Sequence, residues 1–342
     1  PRSTLFPYTT LFRSQKGLFY KYQYQVNNRN SLSNNIIYDL YEDNAGLIWI
    51  GTNKGLSKIN LNTYKFSHQF HHSDNSTSLN DDVIWSFDED NSGLLYIATA
   101  NGINIYNKAT NRFKYLTNQP TNANSLVCND VRRVFHDDSG YLWFGTFCGG
   151  VDKYNPATGI FEHYNTNGKG IHHLRSNAVW DVVEDLHHNI WIATGNGLHK
   201  LSASRDSMTV YSADSSSTSI ASNFVLSLLI DETRLWIGTN AGLCLLDINT
   251  NTIKTFKHTP SGNSISSDRV FSVFKDSQGI VWIGTINGGL NRYDPVFNRF
   301  DVFTIDDGLP NNMIYDILED KSHNLWISRS EERRVGKECR SR

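Results

Sequence analysis

Short apolar segments alternate with polar turns along almost the whole chain. Segments 36–41, 131–135 and 270–274 are rich in β-branched and aromatic residues and are only five or six residues long. Residues of these types favour strands over helices. No 11-residue window sustains a 3.6-residue period, which argues against a helical repeat. The pattern therefore predicts many short β-strands connected by turns.

These strands belong to a unit that recurs every 44 to 48 residues. Its marker is a string such as Ile48-Trp49-Ile50-Gly51-Thr52, with an aromatic residue at its second position. An Asp precedes this anchor by six residues in most units and opens a turn, and in the fifth unit a deletion shortens the spacing by one. The seven anchors are Trp49, Tyr96, Trp143, Trp191, Trp236, Trp282 and Trp326.

Four short antiparallel strands at this period are the signature of a β-propeller blade. A single blade cannot bury both of its faces, but blades stacked around an axis can. The sequence thus predicts an all-β fold, a seven-bladed β-propeller of four-stranded antiparallel blades. The seventh blade is expected to be incomplete, because no third strand follows Ile327. Segment 18–24 has no anchor of its own and is expected to complete that blade.

Both ends of the chain fall outside the repeat. Segments 1–14 and 329–342 resemble translated sequencing-adapter sequence, and we interpret them as a non-native head and tail around a propeller at 15–328. The alternative for the tail is a disordered basic extension.

The repeated unit N-x-[IV]-x-x-[ILVF]-x-x-D-x-x-G-x-[LI]-W-[IF]-G-T-x-x-G-L resembles the two-component regulator propeller repeat. The resemblance covers all seven units. It implies the first propeller of a periplasmic sensor in a hybrid two-component system, of the kind known from Bacteroidetes. Expected partners are an oligosaccharide ligand, a second propeller with the downstream kinase domains, and a second copy in a homodimer. The resemblance implies no catalysis and no cofactor for this fragment.

Candidate ligand-binding residues lie eleven positions before the anchors, where the first strand of each blade enters the channel. Aromatic faces there would suit the stacking of a sugar. The alternative is that these side chains pack between blades as core. The set comprises Tyr38, Trp85, Arg132, Trp180, Phe271 and Tyr315, with Leu226 in the fifth blade.

The loops after the anchored strands provide two further candidates on the same rim, Lys54 and Phe147. The asparagines at equivalent positions are better explained by turn chemistry. Arg132 and Arg133 break the repeat pattern. Such an arginine could bind an acidic sugar or form a salt bridge to a neighbouring blade.

Cys128 and Cys148 both fall on the predicted upper face of the third blade, where a periplasmic location would allow a disulfide. Asp88 and Asp90 match a calcium loop only in part, and a polar hairpin turn is the default explanation. The adjacent histidine pairs have no spacing that links them into a metal site. No metal site is therefore predicted.

An enzyme is the alternative function, either a polysaccharide lyase or a glycosidase. It would need acid and base groups in the channel, for which Arg132, Tyr38 and Asp181 are the best available. A protein-interaction scaffold is the third candidate. No nucleophile elbow, phosphate loop or kinase motif occurs in the chain.

The charge balance argues against nucleic acid as a partner. The whole chain has 32 basic and 34 acidic residues. Without the two ends these numbers fall to 24 and 31, which changes the net charge from -2 to -7. An acidic propeller repels phosphates and, more weakly, anionic glycans.

Overall fold

The computed structural model describes residues 11–15, 18–61, 63–73, 77–216, 218–260, 262–309 and 311–328, with the backbone alone for 11–20. Within these residues the chain forms strands and two short 3-10 turns, Gly170–His172 and Ile305–Asp307. No described helix is long and apolar enough to cross a bilayer.

Six blades are each built from four consecutive antiparallel strands. Blade one has strands β3 to β6 and blade two has β7 to β10. Their bounds are Ile37–Glu42, Leu47–Thr52, Leu56–Asn60 and Lys65–Gln69, then Ile84–Glu89, Leu94–Thr99, Gly102–Asn107 and Arg112–Leu116.

Blade three contains β11 to β14 and blade four contains β15 to β18. Their bounds are Val131–His136, Leu142–Thr146, Val151–Asn155 and Ile160–Tyr164, then Val179–Glu184, Ile190–Thr194, Gly197–Leu201 and Met208–Tyr211.

Blade five contains β19 to β22 and blade six contains β23 to β26. Their bounds are Val225–Asp231, Arg234–Thr239, Gly242–Asp247 and Thr252–Phe256, then Val270–Lys275, Val281–Thr285, Leu290–Asp294 and Arg299–Phe303.

The ring has six complete blades and a composite seventh sheet, which corrects the prediction of seven blades in part. The seventh repeat supplies only β27 (Ile317–Glu319) and β28 (Leu325–Ile327), as expected of an incomplete unit. Strands β1 (Leu11–Gln15) and β2 (Leu18–Tyr22) from the start of the chain extend the same sheet, in the order β2-β1-β28-β27. Segment 18–24 contributes β2 to that sheet as predicted, but a further strand from the start of the chain, β1, lies between β2 and the seventh repeat. Pairing the two ends of the chain covers edges that would otherwise be open.

The interpretation of 1–14 and 329–342 as non-native stays a prediction. Residues 1–10 and 329–342 lie outside the described residues.

The first strands of neighbouring blades contact one another in a closed circuit that includes β27 against β3. Between blades, the anchored aromatic side chains are buried in apolar clusters formed by two adjacent sheets. The two faces of each sheet are thus covered by its neighbours, which explains why these strands do not alternate cleanly between apolar and polar residues.

The Asp before each anchor links the turn to the core. Asp137 accepts the indole N–H of Trp143 at 2.8 Å and the amide of Tyr141 at 2.8 Å. The same indole bond recurs in four other blades, at Trp49, Trp191, Trp282 and Trp326. In blade two the hydroxyl of Tyr96 donates to Asp90 at 3.2 Å. A buried indole thereby keeps its hydrogen bond.

A second recurring bond ties the third strand to the loop that enters the blade. In six blades a buried side chain accepts the amide that follows the Leu or Ile of that loop. The acceptors are Ser57, Asn104, Asp152, His199, Cys244 and Asn291. Side chains of five different chemistries therefore satisfy one backbone group, since all that the site requires is a lone pair.

Candidate functional site

A β-bulge shapes the first strand of each of the six complete blades. The pairing with the second strand skips one residue, and the skipped residue lies at the upper mouth of the channel. A bulge leaves this residue unpaired and re-aims its side chain. The bulged residues are Tyr38, Trp85, Arg132, Trp180, Leu226 and Phe271.

The bulged aromatics, with Tyr315, Phe147 and Phe224, form a ring that we call the crown. Tyr38 lies 4.2 Å from Trp85 and 6.2 Å from Tyr315 between ring centroids, and Phe271 lies 4.4 Å from Tyr315. On the opposite side Trp180 contacts Phe147 and Phe224 at 5.9 and 5.5 Å. The bulged aromatics are half-buried rather than enclosed in the core. They therefore pack against each other and still present surface at the mouth.

Arg132 is held within the crown. Its guanidinium lies 3.7 Å from the Trp85 ring and 4.8 Å from Phe147, and it forms an ion pair with Asp130 at 2.7 Å. Of the two roles open from the sequence, the structure shows salt bridges. That of Arg132 lies within blade three, and that of Arg133 reaches Asp181 of blade four at 2.9 Å, as expected of a bridge between blades. Cys128 and Cys148 form a disulfide, with a Cα–Cα distance of 5.8 Å, that joins the two loops carrying Asp130 and Phe147.

Among the described residues, Lys54 neither lines the cavity nor contacts a ring of the crown, whereas Trp85 and Phe147 join the group through ring contacts. Its side chain is exposed. Its amide donates to the Thr52 hydroxyl at 3.0 Å, which is turn chemistry. The other seven of the eight sequence-predicted residues thus lie together at the channel mouth, and their role in binding stays a prediction.

Below the crown is a cavity of about 550 Å³ lined by the first strands. Most of its polar side chains come from the position directly after the bulge. Asp88 and Glu184 lie further along their strands, and Arg132 is itself a bulged residue. We call five of the charged lining residues the channel cluster: Asp39, Asp88, Arg133, Asp181 and Asp316.

Most of these carboxylates also join the blades. Asp39 accepts the amide of Phe87 in the next blade at 2.8 Å, and Asp316 accepts that of Leu40 at 2.8 Å across the ring closure. Asp181 accepts the amide of Leu228 at 2.8 Å. A buried amide without a ladder partner is costly, so each bond removes a penalty of about 1–3 kcal/mol.

The channel cluster holds more carboxylates than cations. Arg133 forms an ion pair with Asp181 at 2.9 Å. Burial opposes its charge, but the carboxylates around it outweigh burial and raise the pKa of Arg133. Burial raises the pKa of Asp88, of Asp181 and of Asp39, and repulsion from Asp316 adds to the effect on Asp39. Burial likewise raises the pKa of Asp316 to about 6.

Sequence reasoning placed Asp181 and Arg133 near the channel but missed the cluster as a whole. A signal was present, since the residue directly after each bulged residue, and after Tyr315 in the seventh repeat, is polar. In a regular strand, adjacent residues point to opposite faces, and the bulge that brings both into the channel has no marker in the sequence.

Asp138 and His188, which are exposed, and Glu184, which is half-buried, together have the composition of a metal site. Glu184 accepts the amide of Asp138 at 2.8 Å and contacts His188 at 2.9 Å. The same link recurs where Glu319 accepts the amide of Ser277 and contacts His323. The group therefore serves to connect adjacent blades. Asp88 and Asp90 are also separated, since Asp88 lines the channel and Asp90 closes a turn.

Three segments, 31–54, 264–287 and 308–328, match the two component regulator propeller family. No curated protein matches the chain. The extracellular domain of the hybrid two component system BT3049 from B. thetaiotaomicron is 26% identical, with a TM-score of 0.74 over 87% of this chain. The chain spans 39% of that structure.

Two other solved structures share the fold alone. A streptogramin B lyase is 13% identical, with a TM-score of 0.65 over 94% of this chain and 95% of its own. The WD40 propeller of Doa1 is 14% identical, with a TM-score of 0.61 over 86% of this chain and 90% of its own.

Proposed function

The chain carries two component regulator propeller repeats, and we propose that it is the ligand-sensing propeller of a hybrid two-component sensor. The similar domain of BT3049 is extracellular, so we place this propeller outside the cytoplasm. In the full-length protein a second propeller and a kinase would follow, and the sensor would act as a homodimer. We assign the propeller itself no catalytic activity.

We propose that the ligand is an oligosaccharide bound at the crown. The observation that carries this is the ring of half-buried aromatic faces above a polar cavity. Apolar walls with a few fixed polar groups are typical of small-molecule sites. Aromatic faces stack on the C–H faces of sugar rings and exclude water from them.

The crown also offers a route for signalling. Its members come from different blades, so a bound ligand contacts several blades at once. A ligand that prefers one arrangement of the blades shifts the population toward it. Such a shift would change how the propeller packs against the next domain.

The alternative of a propeller enzyme has weaker support. The lyase shares the fold at 13% identity, and fold alone does not imply function. The three side chains named for catalysis are already engaged. Arg132 bonds to Asp130, Asp181 pairs with Arg133, and the hydroxyl of Tyr38 donates to Asn53 at 3.2 Å.

Calorimetric titration of the domain with a panel of oligosaccharides tests the proposal. Trp180→Ala should weaken binding by about tenfold, the loss expected for one aromatic stacking contact. Phe297→Ala is the matched control, because Phe297 is 70% exposed on a blade-six hairpin outside the crown. Equal affinities for both variants would contradict binding at the crown, and turnover of any glycan would favour the enzyme.

A further inference from the structure

We propose that the channel cluster recognises a protonated amine, so that the ligand is a saccharide carrying a free amino group rather than an acidic saccharide. This inference rests on the proposed function, since it names the class of ligand that the crown and the cavity accept together. It follows from the charges, hydrogen bonds and aromatic surfaces that line one cavity.

The cavity carries a surplus of negative charge. Five carboxylates and two guanidinium groups line it. Both guanidinium groups already form ion pairs, one with Asp130 and the other with Asp181. Among the described residues, Asp39, Asp88 and Asp316 have no cation within ion-pair distance, in a region where water screens charge poorly.

Asp39 and Asp316 come from blades one and seven and line the same cavity. Each uses Oδ2 to accept an amide of the next blade, which holds the carboxyl group in place. Repulsion from Asp316 adds to the effect of burial in raising the pKa of Asp39. Two carboxyl groups this close cannot both ionise cheaply. A cation at this position would relieve that repulsion.

Two serines line the same cavity. The side-chain hydroxyls of Ser227 and Ser272 are buried, at 7% residue exposure each, and have no hydrogen-bond partner among the described residues. Ser272 lies on blade six, beside the blade that carries Asp316. An ammonium group has three donors. Two carboxylates and one hydroxyl would satisfy it.

The crown supports the same class of ligand. Ammonium groups bind to the faces of Trp and Tyr. Tyr38 and Tyr315 directly precede Asp39 and Asp316 in the chain, and Tyr38 contacts both Trp85 and Tyr315. Arg132 already occupies such a position over Trp85 at 3.7 Å. Its charge is already balanced by Asp130, which weakens its attraction for the carboxylate or sulfate of an acidic sugar.

Three oligosaccharides of equal length provide the test, namely oligomers of glucosamine, of N-acetylglucosamine and of galacturonic acid. The experiment is isothermal titration of the whole chain at a pH where the amines are protonated. We expect the glucosamine oligomer to bind about tenfold more tightly than the acetylated one, which corresponds to about 1.4 kcal/mol. The galacturonic acid oligomer should bind most weakly.

The double variant Asp39→Asn, Asp316→Asn should remove that preference and leave the affinity for the acetylated oligomer within about twofold, because amide oxygens still accept the two backbone amides. Ser272→Ala leaves those amides untouched and should reduce the preference by about threefold. Asp301→Asn is the control, since Asp301 pairs with Arg292 on the outer strands of blade six.

Equal binding of the neutral and amino oligomers would overturn this inference and leave the proposed function standing. Tighter binding of the acidic oligomer would also overturn it. Binding of none of the three would overturn the proposed function. In that event the inference is tested alone by the quenching of tryptophan fluorescence by benzylammonium, with benzyl alcohol as the neutral control. Stronger quenching by benzylammonium would support the inference, and equal quenching would contradict it.

Discussion

Blades three and five are built on the same repeat but differ by one residue in the turn before the anchor. In blade three, Asp137 lies six residues before Trp143 and accepts its indole N–H. In blade five, Asp231 lies five residues before Trp236. There the turn is a two-residue hairpin with Glu232 at φ 56°, a conformation uncommon outside glycine.

The shorter turn redirects the carboxylate of blade five. Asp231 pairs with Arg234 at 2.6 Å and with Lys275 of blade six. The Trp236 indole N–H is buried without a hydrogen-bond partner among the described residues. Trp236 is nevertheless only 1% exposed and packs against Phe256 and Tyr293 at 5.9 and 5.1 Å.

The difference separates two roles of the anchor. Burial of the indole needs only apolar neighbours, because the hydrophobic effect has no directional requirement. The hydrogen bond of the indole requires the six-residue spacing between Asp and Trp, because a carboxylate oxygen must lie within about 3 Å of the indole nitrogen. A one-residue deletion therefore removes the bond and keeps the packing.

The largest expected contrast is between Asp137→Ala and Asp231→Ala. The first variant removes two charge-assisted bonds and leaves the indole of Trp143 buried and unpaired, so we expect a loss of about 3–4 kcal/mol. The second removes ion pairs to partly exposed cations and should cost about 1 kcal/mol. Urea unfolding followed by tryptophan fluorescence measures both. Equal losses would show that the indole bond contributes nothing beyond the turn.

The side chain of the third strand that accepts the loop amide is a histidine in blade four. We therefore expect the stability of blade four to depend on pH at this position in a way that differs from that of its neighbours. His199 accepts the amide of Arg175 through Nε2, and burial, with the nearby Arg175 charge, lowers the pKa of His199 to about 4. The unfolded value is about 6.5, so the stability that neutral His199 provides is complete above about pH 6.5. It is lost as the pH falls toward 4, by up to about 3 kcal/mol.

His199→Gln is the matched variant for that effect, because its amide oxygen can take the place of Nε2 and does not titrate in this range. Between pH 7 and about 4, the free energy of unfolding should fall more steeply with pH for the natural chain than for the variant. Parallel curves would assign the acid sensitivity to other groups.

The smallest contrast concerns the anchors themselves. Trp143→Phe removes indole volume and leaves a buried carboxylate oxygen of Asp137 unpaired, whereas Trp236→Phe removes volume and an N–H that has no partner. We expect about 2–3 kcal/mol for the first and about 1–2 kcal/mol for the second. Comparing urea midpoints at equal slope measures the difference. A larger loss at Trp236 would contradict the assignment of its indole as unpaired.

The repeat itself was readable because packing between blades demands the same apolar positions in every unit. The anchors, the four strands of six blades and the aromatic positions at the channel mouth follow from that periodicity. Tyr38, Trp180 and Phe271 lie where the register predicted. Lys54 does not, because a position in a turn does not determine where a long exposed side chain points.

The chain sequence by itself determined the blade, its period and the incomplete seventh unit, because local strand preference and the recurring Asp and Trp act over few residues. The missing anchor of segment 18–24 also indicated that this segment completes the seventh blade. Only the tertiary structure decided that β1 lies between β2 and β28, since β28 is about 300 residues from the other two strands in the chain. It also decided that Asp39, Asp316 and Arg133 share one cavity. Six bulges and the closure of the ring bring these side chains together, and long-range geometry of that kind leaves no local pattern.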